Sequence, residues 1–426
     1  MSKQNIEFKD SGIPWIGQIP KHWEIKRLKF ILNERKENNK PVKTDFILSL
    51  TNEKGVIPYS EKGAQGNISK DDITGYKLAY PNDIILNSMN VVIGSVGLSS
   101  YFGAISPVYY ALYSKENSNI KFYNYVFQTS VFQNSLKGLG NGILEIRMRI
   151  PMSNLNNVFL PLPPLNEQKK IAEFLDKKCE IIDKRLSNLE RKIKSLKEYK
   201  KSLISECVTT GLNPTNMEFK DSGIPWCPQI PSDWQVINPK ILFKQRNQKA
   251  KSGEIQYTAS QEFGIISQEE YTRKTGYNMV KVLKGFDILK HVEVGDFVIS
   301  MRSFQGGLEY SNVSGSISSA YVMLIPNSKF VNNRYFRWLF KSSKYIDALQ
   351  STTNLIRDGQ AMRYSNFALI KLIVPPLNEQ KEIAEFLDKK CEKIDRLNEN
   401  YTKQITALKE YKKSLIYECV TGKKEI

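Results

Sequence analysis

The sequence of 426 residues contains only two histidines, His22 and His291, and five cysteines with no CxxC pair among them. Zinc and redox work therefore have no motif, and free, buried thiols are expected. No serine or cysteine has a local base partner, and the carboxylates are scattered without metal-ligand spacing. No GxxxxGK[ST] phosphate loop occurs. The nearest glycine cluster, Gly138 to Gly142, lacks a strand-to-helix setting and reads as a loop. No Asn/Asp-Pro-Pro-aromatic sequence is present to hold a flipped base for amino methylation. Both Pro-Pro pairs follow an aliphatic residue, Leu162 or Val374. No apolar run approaches the ~20 residues of a membrane helix, and the polar N-terminus is no signal peptide. These absences predict a soluble, cytoplasmic chain with no active site, metal or cofactor of its own.

What is present is enough apolar sequence for two ordinary cores, at 41% hydrophobic and 11% aromatic residues. The net charge is +18, divided as +6 over residues 1–164, +4 over 165–208, +7 over 209–376 and +1 over 377–426. A basic excess favours a polyanionic partner, because each neutralised phosphate releases counterions.

The chain is a tandem duplication. LPPLNEQKKIAEFLDKKC (Leu162 to Cys179) returns as VPPLNEQKEIAEFLDKKC (Val374 to Cys391), 212 positions later. EFKDSGIPWIGQIPKHW from Glu7 returns as EFKDSGIPWCPQIPSDW from Glu218, and LKEYKKSLISECVT from Leu196 returns as LKEYKKSLIYECVT from Leu408. The period is too long for a solenoid and fits a duplicated domain with a connector. The expected boundaries are 1–161 and 212–373 for the two domains, and 162–211 and 374–426 for two helical spacers.

Each spacer carries a heptad seam. Leu175, Cys179, Ile182, Leu186, Leu189, Ile193, Leu196, Lys200, Leu203 and Cys207 recur at alternating steps of four and three. The second copy runs Leu387, Cys391, Ile394, Asn398, Tyr401, Ile405, Leu408, Lys412, Leu415 and Cys419. Each helix should begin after its Pro-Pro pair, with Asn166 and Asn378 as N-caps, and end near Gly211 and Gly422. The seams are expected to bury one another, in either orientation. A coil joining two chains is the alternative, and the polar Lys200, Lys412 and Asn398 suit register-setting in both cases.

Between the repeated segments lie strand-like runs punctuated by glycine, then aromatic helix-like stretches, then polar glycine loops. The pattern predicts an α+β fold for each domain. A repeated frame with diverged loops suits two readers of different targets, since loops vary cheaply whereas packing holds the frame.

The openings FKDSGIPWIGQIPKHW, the helix starts PPLNEQKKIAEFLD and PPLNEQKEIAEFLD, and the two-copy order resemble the specificity subunit of a type I restriction–modification system, over essentially the whole chain. The resemblance implies a non-catalytic DNA reader with two target recognition domains, separated by two long helices packed as an antiparallel coiled coil. Each domain would read one half of a split, asymmetric site in double-stranded DNA. The helices would set the spacer and dock two methyltransferase subunits, with motor-nuclease subunits joining the full complex. A structural coiled-coil adaptor and an enzyme, a methyltransferase or nuclease with an unrecognised site, are the competing readings.

Candidate DNA contacts in the second domain are Arg302, Ser303 and Gln305 after a strand-like run, Arg357 and Arg363 in the glycine loop, and Arg273 with Lys274. Arginine can bridge guanine O6 and N7, and glutamine suits adenine. In the first domain they are Asn87, Asn90, Lys137, Asn141, Arg147 and Arg149. A phosphate contact or a solvated charge is the plainer role for each of them. Glu167, Gln168, Glu379 and Gln380 recur at the helix starts and suit either first-turn capping or partner docking. Trp15 and Trp226 suit anchoring of the opening segments on the coil or a partner, or ordinary core packing.

Overall fold

The computed structural model describes residues 7–52, 54–62, 72–140, 149–279, 281–282, 285–352 and 362–426. The chain falls into two compact units, residues 1–189 with 402–426, and residues 190–401. Each is α+β.

In the first unit, β1 (Leu32–Arg35), β2 (Ile84–Asn87), β3 (Val96–Leu98) and β4 (Tyr109–Ser114) form an antiparallel sheet in the order β1-β4-β2-β3. Both sheet faces are covered, which explains the unbroken apolar run in β2. Ile84 and Leu86 face the large core with the helices, whereas Ile85 and Ala111 pack with Leu48, Leu50 and Val56 of a small hairpin. The second unit repeats the plan with β5 (Phe243–Gln245), β6 (Phe297–Ile299), β7 (Glu309–Tyr310) and β8 (Val322–Pro326) in the order β5-β8-β6-β7. Phe297 and Ile299 face its large core, and Val298 and Met323 a smaller one.

The turn into the second sheet strand is fastened alike in both units. Asn82, at φ 68°, and Gly295, at φ 96°, each adopt the left-handed conformation one residue before an aspartate. Arg35 reaches Asp83 through Nε (2.7 Å) and Nη2 (3.0 Å), and Arg246 reaches Asp296 the same way (2.7 and 2.9 Å). Both aspartates are buried, so these forks tie the edge strand to the sheet centre.

Helices α1 (Ile120–Gln128) and α2 (Ser130–Ser135) follow the first sheet and lead to α3 (Leu165–Thr210). Helices α4 (Asn333–Leu339) and α5 (Ser343–Ser351) follow the second and lead to α6 (Leu377–Val420). Each long helix starts directly after its Pro-Pro pair, and Gly211 and Gly422 terminate them at φ 76° and 71°. The N-cap expectation needs correction. The carbonyl of Pro164 already accepts from Gln168 N (3.0 Å), and that of Pro376 from Gln380 N (2.9 Å), so Asn166 and Asn378 lie within the first turn.

The seam residues face inward as the heptads require. In the first unit, Leu175, Cys179 and Ile182 near the start of α3 share a core with Leu415, Ile416 and Cys419 near the end of α6. In the second, Ile204 and Cys207 near the end of α3 share a core with Leu387 and Cys391 near the start of α6. Start packs on end, so the pairing is antiparallel. The two lysines that interrupt the seam fit this arrangement. Lys412 Nζ bridges both oxygens of Asp183 (2.6 and 2.8 Å), and Lys200 Nζ both oxygens of Asp395 (2.6 and 2.7 Å).

The domains ride on these helices through repeated contacts. Asp176 binds Lys121 (2.8 Å) and the Tyr125 hydroxyl (2.8 Å) on α1. Asp388, its counterpart 212 residues on, binds Arg334 (2.6 Å) and Trp338 Nε1 (2.8 Å) on α4. All five cysteines are buried and unpaired. No helix among the described residues is long and apolar enough to cross a membrane.

Candidate nucleic-acid interface

In the second unit, β6 runs into a loop that is pinned from within. Ser303 is fully buried and its hydroxyl accepts from Ser300 N (2.8 Å), so this side chain shapes the loop and does not face a ligand. That corrects its expected role in DNA contact. Arg302 caps the short helix Ser303–Gly306 with φ −111° and ψ 15°, and its carbonyl accepts from Gln261 Nε2 (2.9 Å). At the far end, Lys341 Nζ donates to Gly306 O (2.9 Å) and pairs with the buried Glu309. Burial raises the pKa of Glu309, and the Lys341 charge opposes that rise. Gly307 follows at φ 77°, where a Cβ would lie 1.9 Å from Phe340 O. Met301, Arg302 and Gln305 remain outward and exposed, and the latter two carry the polar groups.

Gln261 sits at the tip of the hairpin Tyr257–Ser260/Gly264–Ser267, and the helix Gln268–Thr275 continues from it. The Phe263 ring meets Tyr271 edge-on at 6.4 Å, and Lys274 Nζ lies 4.9 Å from the same ring. Arg273 and Lys274 are exposed and only loosely held by Glu270, at 3.6 and 3.3 Å. One hairpin thus gathers Arg302 and Gln305 at its tip and Arg273 and Lys274 along its flank. This surface presents two arginines, a lysine and a glutamine, side chains suited to phosphates and base edges. Arg363 is exposed at the start of the helix Tyr364–Ala368, its N–H donating to Asn366 Oδ1 (3.1 Å). Arg357 lies outside the described residues.

The first unit builds the same loop with other residues. Ser88 is buried and donates to Val108 O (2.7 Å). Asn90 caps the 3-10 turn Val91–Ile93 with φ −125° and ψ 9°, and Asn52, at the hairpin tip, donates to Ile93 O (3.3 Å). Asn87 turns inward on its own loop, its Oδ1 accepting from Met89 N (3.0 Å). Lys137 and Arg149 are exposed, whereas Asn141 and Arg147 lie outside the described residues.

The helix-start candidates are drawn into their own units. Gln168 and Gln380 are fully buried. Gln168 Nε2 donates to Pro163 O (2.7 Å) and its Oε1 accepts from Asn119 N (2.8 Å). Gln380 repeats this with Pro375 O (2.8 Å) and Asn332 N (2.8 Å). With no exposed surface they brace α1 and α4 on the long helices, and partner docking is not open to them. Glu167 accepts from Trp23 Nε1 (2.9 Å) and faces His22 Nε2 (2.9 Å); Glu379 accepts from Trp234 Nε1 (2.9 Å). Burial raises the pKa of Glu379, with the Trp234 bond opposing. Trp15 packs edge-on against Phe132 at 5.1 Å, and Trp226 against Tyr345 at 6.0 Å. Both anchor their opening segments within their own unit.

Gln261, Asn52 and Lys341, which fix the loops, belong to no motif of the sequence. Gln261 and Asn52 each lie between the two strands of a hairpin, and only the fold reveals that these tips meet the loops.

With this geometry in place, comparison with known proteins decides the family. The profile of the type I restriction modification DNA specificity domain matches twice, over residues 20–197 and 231–407. The chain belongs to the type I restriction–modification DNA specificity family. Specificity subunits recognise DNA and have no active site of their own. The chain is similar to a putative type I restriction enzyme MjaX specificity subunit of Methanocaldococcus jannaschii, at 26% identity over 96% of this chain and 95% of that one. The MjaVIII specificity subunit of the same organism is 24% identical over 95% and 94%. Among solved structures, a chain from work on complex assembly and conformational transition of the type I R-M system superposes with a TM-score of 0.69 at 14% identity, covering 94% of this chain and 98% of that one. The HsdS subunit from Thermoanaerobacter tengcongensis superposes at 0.55, also at 14% identity, over 95% and 98%. These two likenesses bear on the fold.

Proposed function

We propose that this specificity subunit reads a split, asymmetric sequence in double-stranded DNA, one half-site per target recognition domain. The paired helices set the gap between half-sites and dock two methyltransferase subunits. Motor-nuclease subunits complete the complex, which works on DNA in the cytoplasm. Residues 1–161 and 212–373 are the two readers, and 162–211 and 374–426 the two spacers. The observation that carries this reading is a sheet, hairpin and loop repeated strand for strand, with different side chains pointing outward. A frame kept twice and a surface changed once suits two half-sites of different sequence.

Exposed apolar residues support two equivalent docking surfaces. Tyr199 and Tyr411, 212 residues apart, are 55% and 53% exposed on the long helices, and Phe8 and Phe219 are 39% and 38% exposed on the opening hairpins. Large exposed rings recurring in register favour the same partner met twice. The test is binding of the complex with its methyltransferase to duplexes carrying both half-sites at varied gaps. Affinity that peaks at one gap is expected, because each added base pair also rotates the groove. Affinity independent of the gap would remove the spacer role. Saturable binding of S-adenosylmethionine to the isolated chain would favour an enzyme instead.

A further inference from the structure

We infer that positions 90 and 302 are one and the same reading position, used twice. Asn90 selects an adenine in the first half-site, and Arg302 a guanine in the second. The inference rests on the reader role proposed above and assigns a specificity-determining residue to each domain.

Three observations converge on it. The loops align without a gap, Ser88-Met89-Asn90 against Ser300-Met301-Arg302, 212 residues apart. Their backbones coincide: φ −125° and ψ 9° at Asn90, φ −111° and ψ 15° at Arg302, each capping a short helical turn. Each loop is held by an amide from the tip of the adjoining hairpin, Asn52 to Ile93 O (3.3 Å) and Gln261 to Arg302 O (2.9 Å). The serine before each is buried and fixes the loop from below.

On this common mount the side chains differ, and neither is engaged by a described residue. Arg246 and Arg334 of the same unit are committed to Asp296 and Asp388, whereas Arg302 pairs with no described carboxylate. Asn87, three residues before Asn90, uses its amide oxygen on its own turn, which leaves Asn90 as the asparagine with a free amide face. A free guanidinium on a fixed loop matches the paired O6 and N7 acceptors of guanine. A carboxamide matches the N6 donor and N7 acceptor of adenine. A solvated charge needs no such mount, and a phosphate contact, open to either side chain, would carry no base preference.

The experiment uses the subunit assembled with its methyltransferase, as wild type and as Arg302→Asn, Arg302→Lys and Asn90→Ala. Each complex is titrated against the wild-type site and a panel of duplexes altered at single base pairs. For the wild type, one base pair of the second half-site should carry a penalty of about tenfold to a hundredfold. In Arg302→Asn that penalty should vanish or pass to favour adenine, with the first half-site and the gap unchanged. Arg302→Lys keeps the charge but not the fork and should lose most of the discrimination. Asn90→Ala should flatten one position of the first half-site alone. A uniform loss over all duplexes would make Arg302 a phosphate contact and overturn the inference, as would an unchanged profile. A wild-type complex that recognises no split site at all refutes the reader role itself, which the other outcomes leave standing.

Discussion

Replacing Arg246 with methionine should unlock the second target recognition domain while leaving the first intact. Asp296 is 1% exposed, and besides the fork from Arg246 its carboxylate receives the Glu293 N–H at 3.0 Å. Without the guanidinium, a buried charge keeps that backbone donor and no counterion. Breaking a buried pair from one side costs about 3–5 kcal/mol. The arginine side chain is 18% exposed, so water reaches the site and the lower end, about 3 kcal/mol, applies. Hydrogen exchange followed by mass spectrometry reads each unit separately, which a global unfolding curve of a two-unit protein does not. Amides of the peptide containing Phe297–Ile299 should exchange about 150-fold faster, with first-unit peptides unchanged. The double variant Arg246→Met with Asp296→Asn should recover most of the loss, because the stranded charge is gone. Acceleration below about tenfold, or a double variant no better than the single, would mean that the fork does not hold this unit together.

Gly307→Ala should destabilise the same unit by about 3 kcal/mol or more, since its new Cβ meets Phe340 O and φ 77° with ψ −173° is glycine territory; hydrogen exchange of second-unit peptides measures it. Removing Lys200 and Lys412 together by alanine substitution should cost only about 0.5–1 kcal/mol for each, because both bridges are partly solvated, and the loss should shrink in high salt. Burial pushes the thiols up, Cys419 to about 12 and Cys207 and Cys391 to about 11. In the unfolded chain they ionise near the ordinary thiol value of about 8.5, so the folded form holds more protons above it. Their contribution is therefore full below about pH 8.5 and is lost as pH rises towards 11–12, which urea midpoints on either side of that value measure. Disulfide-exchange reagents should label these thiols slowly in the native protein at neutral pH and quickly once it is unfolded.

The long helices were legible because a heptad seam is local. Spacing alone names Leu175, Cys179 and Ile182 as inward residues, and the Pro-Pro pairs mark the start. Orientation was not legible, because a seam reads the same whichever way its partner runs. It was decided by contacts such as Lys412 with Asp183, 229 residues apart. In the sequence Gln168 suits first-turn capping or partner docking. The preceding domain folds the backbone of Asn119 over it, and no local pattern announces that. The strand-following loop around Arg302 was found, but Ser303 turns inward because a buried hydroxyl can serve the Ser300 N–H. The forks Arg35–Asp83 and Arg246–Asp296 span 48 and 50 residues, beyond any reading by periodicity. Secondary structure and repeat were thus written locally, whereas the interface was written in pairings that only the fold assembles.

If one chain holds two different readers on a common frame, the DNA it directs for modification carries the mark of both. Single-molecule methylome sequencing of DNA modified by this subunit with its methyltransferase tests it most directly. A split motif with two unlike half-sites and one fixed gap is the expected result. A short continuous motif would contradict it, leaving one of the two domains without a reading role.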